Sequence, residues 1–122
     1  MSFLRRWTRK DVEQDRQYLT LVETRPGGEI GLAFSTDVDG YQFFPVFTTK
    51  AALLRWAPEG GTTGFAPLSA VISVLIESPM EAIIIDPASK APRVILRSDA
   101  AEGRIAPTPL GSRLPPSDIQ QR

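Results

Sequence analysis

Four consecutive apolar residues, Ala82 to Ile85, narrow the choice of fold more than any other segment of the chain. Neither face of such a strand offers a polar side chain to water, which predicts a central strand covered on both sides. The segment before it supplies one cover, because its apolar residues follow helical spacing: Leu68, Val71, Ile72, Leu75 and Ile76. Val74 widens this apolar stripe, and Pro79 ends the helix. The pattern predicts a sheet packed against helices.

Other strands are predicted over 18–23, 30–35, 41–47 and 93–97, with a very short extended piece at 65–68. Thr48 or Thr49 is the predicted N-cap of a second helix that runs through Ala57. Pro45 interrupts the aromatic strand over 41–47, and proline cannot donate to a β-ladder. We therefore expect that strand to lie at a sheet edge, or to be bulged or short at that point.

The order of these elements predicts an α/β fold, close to α+β, with a mixed sheet of about five strands and two to three helices. The chain has 122 residues, which is the size of one domain. We place that domain at 1–106. Residues 107–122 are rich in proline and form either a disordered tail or an extended strap.

Composition removes several classes of function. The chain has no Cys and no His, so thiol nucleophiles, disulfides and histidine bases are excluded, and we expect neither catalysis, a metal site nor a cofactor. Fourteen basic and fourteen acidic residues give a formal net charge of zero, whereas a nucleic-acid-binding protein carries a basic excess. No apolar run is long enough to span a bilayer. Phe3, Leu4 and Trp7 form either an interfacial anchor or part of a surface helix, and nearby acids favour the helix.

Three groups of side chains could serve either a functional or a structural role. Phe43 and Phe44 belong to an aromatic strand that either stacks on a partner or packs in the core. Arg55 and Trp56 combine two residue types that are common at protein interfaces, although Trp56 also has the spacing of a core residue. The pair Asp37 and Asp39, before Gly40, indicates a hairpin tip rather than a calcium loop.

The stretch from Phe44 to Trp56, FPVFTTKAALLRW, resembles the N-terminal domain of the SseB family, named for enhanced serine sensitivity. The turn Asp86-Pro87-Ala88-Ser89 is similar to the NPGS-type turn that follows an apolar strand in that family. Asp86 stands where Asn is usual and Ala88 where Gly is usual, and Ala tolerates a positive φ poorly. The resemblance covers about 18–104 and implies a mixed α/β domain of a bacterial accessory or interaction protein, without established enzymatic activity.

The leading hypothesis is a non-enzymatic, cytoplasmic domain that binds a protein partner, with a homodimer as one form of that binding. It predicts an exposed apolar patch around Trp56, Phe65 and the Phe43/Phe44 strand. The alternative is a small-molecule sensing module, whose pocket would draw on Thr48, Arg55, Asp86 and Ser89. The candidate interaction or ligand surface therefore comprises eight residues: Phe44, Thr48, Arg55, Trp56, Phe65, Asp86, Pro87 and Ser89.

Overall fold

The computed structural model describes residues 16–36 and 40–110. Within these ranges the chain forms eight strands and three helices. The strands are β1 (Gln17–Thr24), β2 (Ile30–Leu32), β3 (Ser35–Thr36), β4 (Gln42–Phe47), β5 (Thr63–Pro67), β6 (Ala82–Ile85), β7 (Arg93–Leu96) and β8 (Thr108–Pro109). The helices are α1 (Lys50–Trp56), α2 (Leu68–Glu77) and α3 (Arg97–Ala101). The predicted N-terminal anchor or helix and the pair Asp37 and Asp39 lie outside the described residues.

All eight described strands join one mixed sheet, which confirms the predicted fold class and makes the sheet larger than expected. β1 pairs antiparallel with β2, β4 and β5. β4 and β6 are parallel, with α1, β5 and α2 between them in the chain. β7 is antiparallel to β6, and β8 extends the sheet beyond the predicted boundary at residue 106. No helix in the described ranges is long and apolar enough to cross a membrane.

The central strands are apolar on both faces because helices cover both faces. All four residues of β6 are buried, as the apolar run predicts. Ile83 and Ile85 belong to one core cluster with Val71, Ile72 and Leu75 of α2. Ile84 lies in a second cluster on the opposite face, together with Phe43 and Val94. Successive side chains of β4 and β6 thus enter apolar clusters on opposite faces of the sheet, and for this reason the two strands carry almost no polar side chains.

β4 is a central strand, so the expectation that Pro45 marks a sheet edge is wrong. The backbone N–H groups of Glu81 and Asp86 donate to the carbonyls of Gln42 and Val46. The main-chain N–H and C=O groups of the even-numbered residues of β4 therefore point toward β6. The ring nitrogen of Pro45 therefore faces the opposite edge. There, β3 pairs with Gln42 and Phe43, and β1 pairs with Val46 and Phe47. Pro45 falls between these two short ladders, where no backbone donor is required.

The two predicted helices form where the sequence signals indicated. Thr49 is the N-cap of α1, and its hydroxyl oxygen accepts a hydrogen bond of 3.0 Å from the Ala52 N–H. Helix α2 ends at Glu77, before Ser78 and Pro79. Its apolar stripe is narrower than expected, because Val74 is 41% exposed and adds nothing to the core. The stripe alone is sufficient to fix the helix on the sheet.

Candidate interaction site

The two sequence motifs meet at the carboxyl ends of the parallel strands β4 and β6. The Asp86 carboxylate accepts two hydrogen bonds from Thr48: one of 2.8 Å from the backbone N–H and one of 2.6 Å from the hydroxyl. The Asp86 N–H in turn donates to the carbonyl of Val46 at 2.8 Å. These three bonds connect residues 38 to 40 positions apart in sequence and fix the turn after β6 against the start of α1.

Asp86 has a φ of 52°, and no other non-glycine residue in the described ranges has a positive φ. Aspartate and asparagine adopt this left-handed conformation more readily than other side chains do. The demand for this conformation explains why the turn begins with Asp. The concern over Ala88 does not arise, because the positive φ lies at Asp86 and not at Ala88. The turn closes when the Ser89 N–H donates to the Asp86 carbonyl at 3.0 Å.

The geometry thus gives this Thr48–Asp86 clamp a structural role. Both carboxylate oxygens of Asp86 already accept a hydrogen bond from Thr48, so fewer of their acceptor positions are open to a ligand. Pro87 and Ser89 are half-buried beside the clamp. Of the residues predicted to line a ligand pocket, the structure brings Thr48, Asp86 and Ser89 together, while the exposed Arg55 lies in the last turn of α1.

The aromatic residues divide between core and surface. Phe44 is 4% exposed and lies in the core, so its assignment to an interaction surface is wrong. Phe43 is 2% exposed and makes an edge-to-face contact with Trp56, with ring centroids 5.9 Å apart. Trp56 is half-buried and packs against two apolar clusters on the α1 face, the one that contains Phe43 and a smaller one formed by Phe47, Ala52 and Leu53. The expected patch that joins these residues does not form.

Phe65, by contrast, is 72% exposed in the middle of β5. It lies opposite Leu19 of β1, on the same face of the sheet as the half-buried Leu19 and α1. Among the exposed large apolar residues of the described chain, Phe65 and Ile30 have the highest exposure. Of the eight predicted residues, Phe65 therefore presents the clearest apolar surface to solvent.

The outer edge of β5 offers main-chain groups as well. The Val22 N–H donates to the Thr62 carbonyl, and the Leu68 N–H donates to the Arg16 carbonyl. These bonds show that the main-chain N–H and C=O groups of the even-numbered residues of β5 point toward β1. The N–H and C=O groups of Thr63 and Phe65 therefore point to the other edge, along which no described strand lies. The sequence of this segment predicts an extended piece, as found, whereas the free edge was expected at Pro45.

A separate shallow cavity of about 230 Å³ opens at the other end of β4 and β6. Its lining combines polar and apolar groups: Tyr41, Glu81, Leu96, Arg97 and Ser98. Glu81 also accepts a hydrogen bond of 3.1 Å from the Gln42 N–H, so its carboxylate helps to hold the strand end. None of the predicted ligand residues lines this cavity. Within the described ranges, no group of three or more acidic residues is arranged to hold a metal ion.

Comparison with known proteins agrees with the motifs. The sequence profile of the family described as SseB protein N-terminal domain matches residues 7–101. No curated protein and no solved structure matches the chain. The profile match spans both the β4–α1 motif and the turn after β6, which are the segments joined by the Thr48–Asp86 clamp. The chain belongs to the SseB N-terminal domain family.

Proposed function

We propose that this protein is a non-enzymatic interaction domain that binds protein through the free edge of β5. One observation carries the proposal: an exposed aromatic side chain, Phe65, lies on a strand whose outer main-chain groups face no described neighbour. Unpaired strand edges bind extended segments by adding a strand, with main-chain hydrogen bonds for affinity and side-chain contacts for specificity. The β5 edge offers both kinds of contact.

The sequence of β5 supports this role. Natural edge strands are commonly protected by charged side chains, by proline or by being very short. The five residues TGFAP contain no charge, and their proline is the last residue of the strand. β2, β3 and β8 also pair on one side only, but they have three, two and two residues. β5 is thus the longest weakly protected edge in the described part of the sheet.

The metabolite-sensing alternative receives less support. The shallow cavity described above, at about 230 Å³, is smaller than the 300–1,000 Å³ that is usual for small-molecule sites, and Thr48, Arg55, Asp86 and Ser89 do not line it. Catalysis is also less supported, since the chain has neither a His to act as a general base nor a Cys to act as a nucleophile. The acid that begins the turn after β6, Asp86, is engaged with Thr48. Protein binding remains the function that the geometry supports best.

A photo-reactive phenylalanine analogue placed at position 65 tests the proposal in bacterial cells. Illumination should link the protein to another polypeptide through this position. The matched control carries the analogue at Val74, which is 41% exposed on α2. A covalent adduct at position 65 and none at position 74 supports the proposal. Equal adduct formation at both positions, or none at either, contradicts it.

A further inference from the structure

We infer that the polypeptide that completes the β5 edge is a second copy of this chain, paired antiparallel about a two-fold axis at Phe65. The inference rests on the proposed function and names its partner. A two-fold dimer uses the same surface on both subunits, so the edge must be complementary to itself. The main-chain groups of β5 meet this condition.

The hydrogen bonds of such a pair can be counted from the register of β5. Thr63 and Phe65 each direct an N–H and a C=O to the free edge, whereas Pro67 directs only a C=O. With Phe65 at the centre, each Phe65 N–H donates to the carbonyl of the partner's Phe65. Each Thr63 N–H donates to the carbonyl of the partner's Pro67. Every outward donor of the strand is then bonded, and Pro67 serves as an acceptor, which proline can do.

The side chains favour the same register. Residues opposite one another in an antiparallel pair lie on the same face, so the two Phe65 rings become direct cross-strand neighbours. A shift of the axis to Gly64 also satisfies the donors but places each Phe65 opposite Thr63 and separates the rings. Phe65 is 72% exposed in the single chain, so the centred register removes the most apolar surface from water.

Charge also permits the association of two copies. The edge sequence TGFAP is uncharged, so no like charges face each other across the axis. The whole chain has fourteen basic and fourteen acidic residues, so two copies carry no net repulsion at neutral pH. A basic or acidic partner peptide would find no opposite charge on β5 itself. These features favour a second copy over a charged heterologous segment.

Sedimentation equilibrium of the purified protein tests the inference, with Phe65→Ser and Val74→Ser as matched variants. Both substitutions remove an exposed apolar side chain. The urea midpoint of each variant is measured first, to check that it remains folded. We expect the wild-type protein to dimerise reversibly. Phe65→Ser should weaken the dimer by at least about tenfold, and Val74→Ser by less than about twofold. A wild-type protein that stays monomeric to about 1 mM overturns the inference, as does an equal loss in the two variants.

The absence of cysteine allows a direct test of the register. A Phe65→Cys chain has one thiol, and opposite residues in a hydrogen-bonded antiparallel pair have Cα atoms about 5.5 Å apart, within disulfide range. Mild oxidation should link two Phe65→Cys chains faster than two Val74→Cys chains. Equal rates contradict the register. A monomeric protein that still cross-links to a different polypeptide from position 65 overturns the second copy but leaves the proposed function standing; no adduct at all overturns both.

Discussion

Substitutions at Asp86 separate the two things that this residue does in the Thr48–Asp86 clamp. Asp86→Ala removes both acceptors of the bonds at 2.8 and 2.6 Å and also leaves alanine in a left-handed conformation. A hydrogen bond within a protein contributes about 0.5–1.5 kcal/mol net, and we take about 1 kcal/mol for each of these two exposed bonds. The left-handed conformation adds roughly 1 kcal/mol for alanine. Asp86→Ala should therefore lower the free energy of unfolding by about 3 kcal/mol.

The control variants divide that total. Asp86→Gly loses the bonds without the conformational penalty, so it should cost about 2 kcal/mol. Asp86→Asn keeps an acceptor for the Thr48 N–H, tolerates the positive φ and can donate to the Thr48 hydroxyl oxygen, so it should cost less than about 1 kcal/mol. Stability should thus follow the order Asp, Asn, Gly, Ala. This order distinguishes the clamp from a simple surface carboxylate.

Urea unfolding followed by tryptophan fluorescence measures the series. With a slope of about 1.5 kcal/mol/M, the loss in Asp86→Ala moves the midpoint by about 2 M. Combining Asp86→Ala with Thr48→Val in a double-mutant cycle should give a coupling of about 1 kcal/mol, since Thr48→Val removes only the hydroxyl bond. The reasoning is refuted if Gly matches the wild type, or if Ala and Asn unfold at the same urea concentration.

Three further predictions concern the α1 face and the β5 edge. Trp56→Ala should lower the free energy of unfolding by about 2–4 kcal/mol through the lost contact with Phe43. Because the variant removes one of two tryptophans, its urea unfolding is followed by circular dichroism, and a loss below about 0.5 kcal/mol would mean that Trp56 is not a core residue. Thr49→Ala should cost about 1 kcal/mol by the same assay and Thr49→Ser almost nothing, because Ser keeps the N-cap acceptor; equal costs would argue against the cap. Phe65→Ser should leave the stability of the monomer within about 0.5 kcal/mol at low protein concentration, and a larger loss would place Phe65 in the core.

Local patterns predicted the parts of the fold that depend on neighbours in sequence. The spacing of Val71, Ile72 and Leu75 identified α2, and the apolar run over 82–85 identified a strand covered on both faces. Thr49 was one of two candidates for the cap of α1, and the structure shows why the other is occupied: Thr48 binds Asp86. These signals need no knowledge of distant segments.

The arrangement of strands was beyond such patterns, because it depends on which distant segments pair. Pro45 indicated an edge, yet β4 receives two partners on that side, and the proline falls between them. The Thr48–Asp86 clamp joins residues 38 positions apart, so no local window contains it. The free edge at β5 likewise follows from the pairing of β1, which a single sequence does not specify.

Amide hydrogen exchange along β5 tests the account most directly, because alternate residues of one strand serve as test and control. The Gly64 and Ala66 N–H groups face β1 and should exchange slowly at every protein concentration. The Thr63 and Phe65 N–H groups face the free edge. We expect fast exchange of these two amides in dilute protein and protection when the protein is concentrated enough to associate. Slow exchange of Thr63 and Phe65 in the dilute monomer, or fast exchange in the associated protein, would contradict the claim that this edge is where the molecule binds protein.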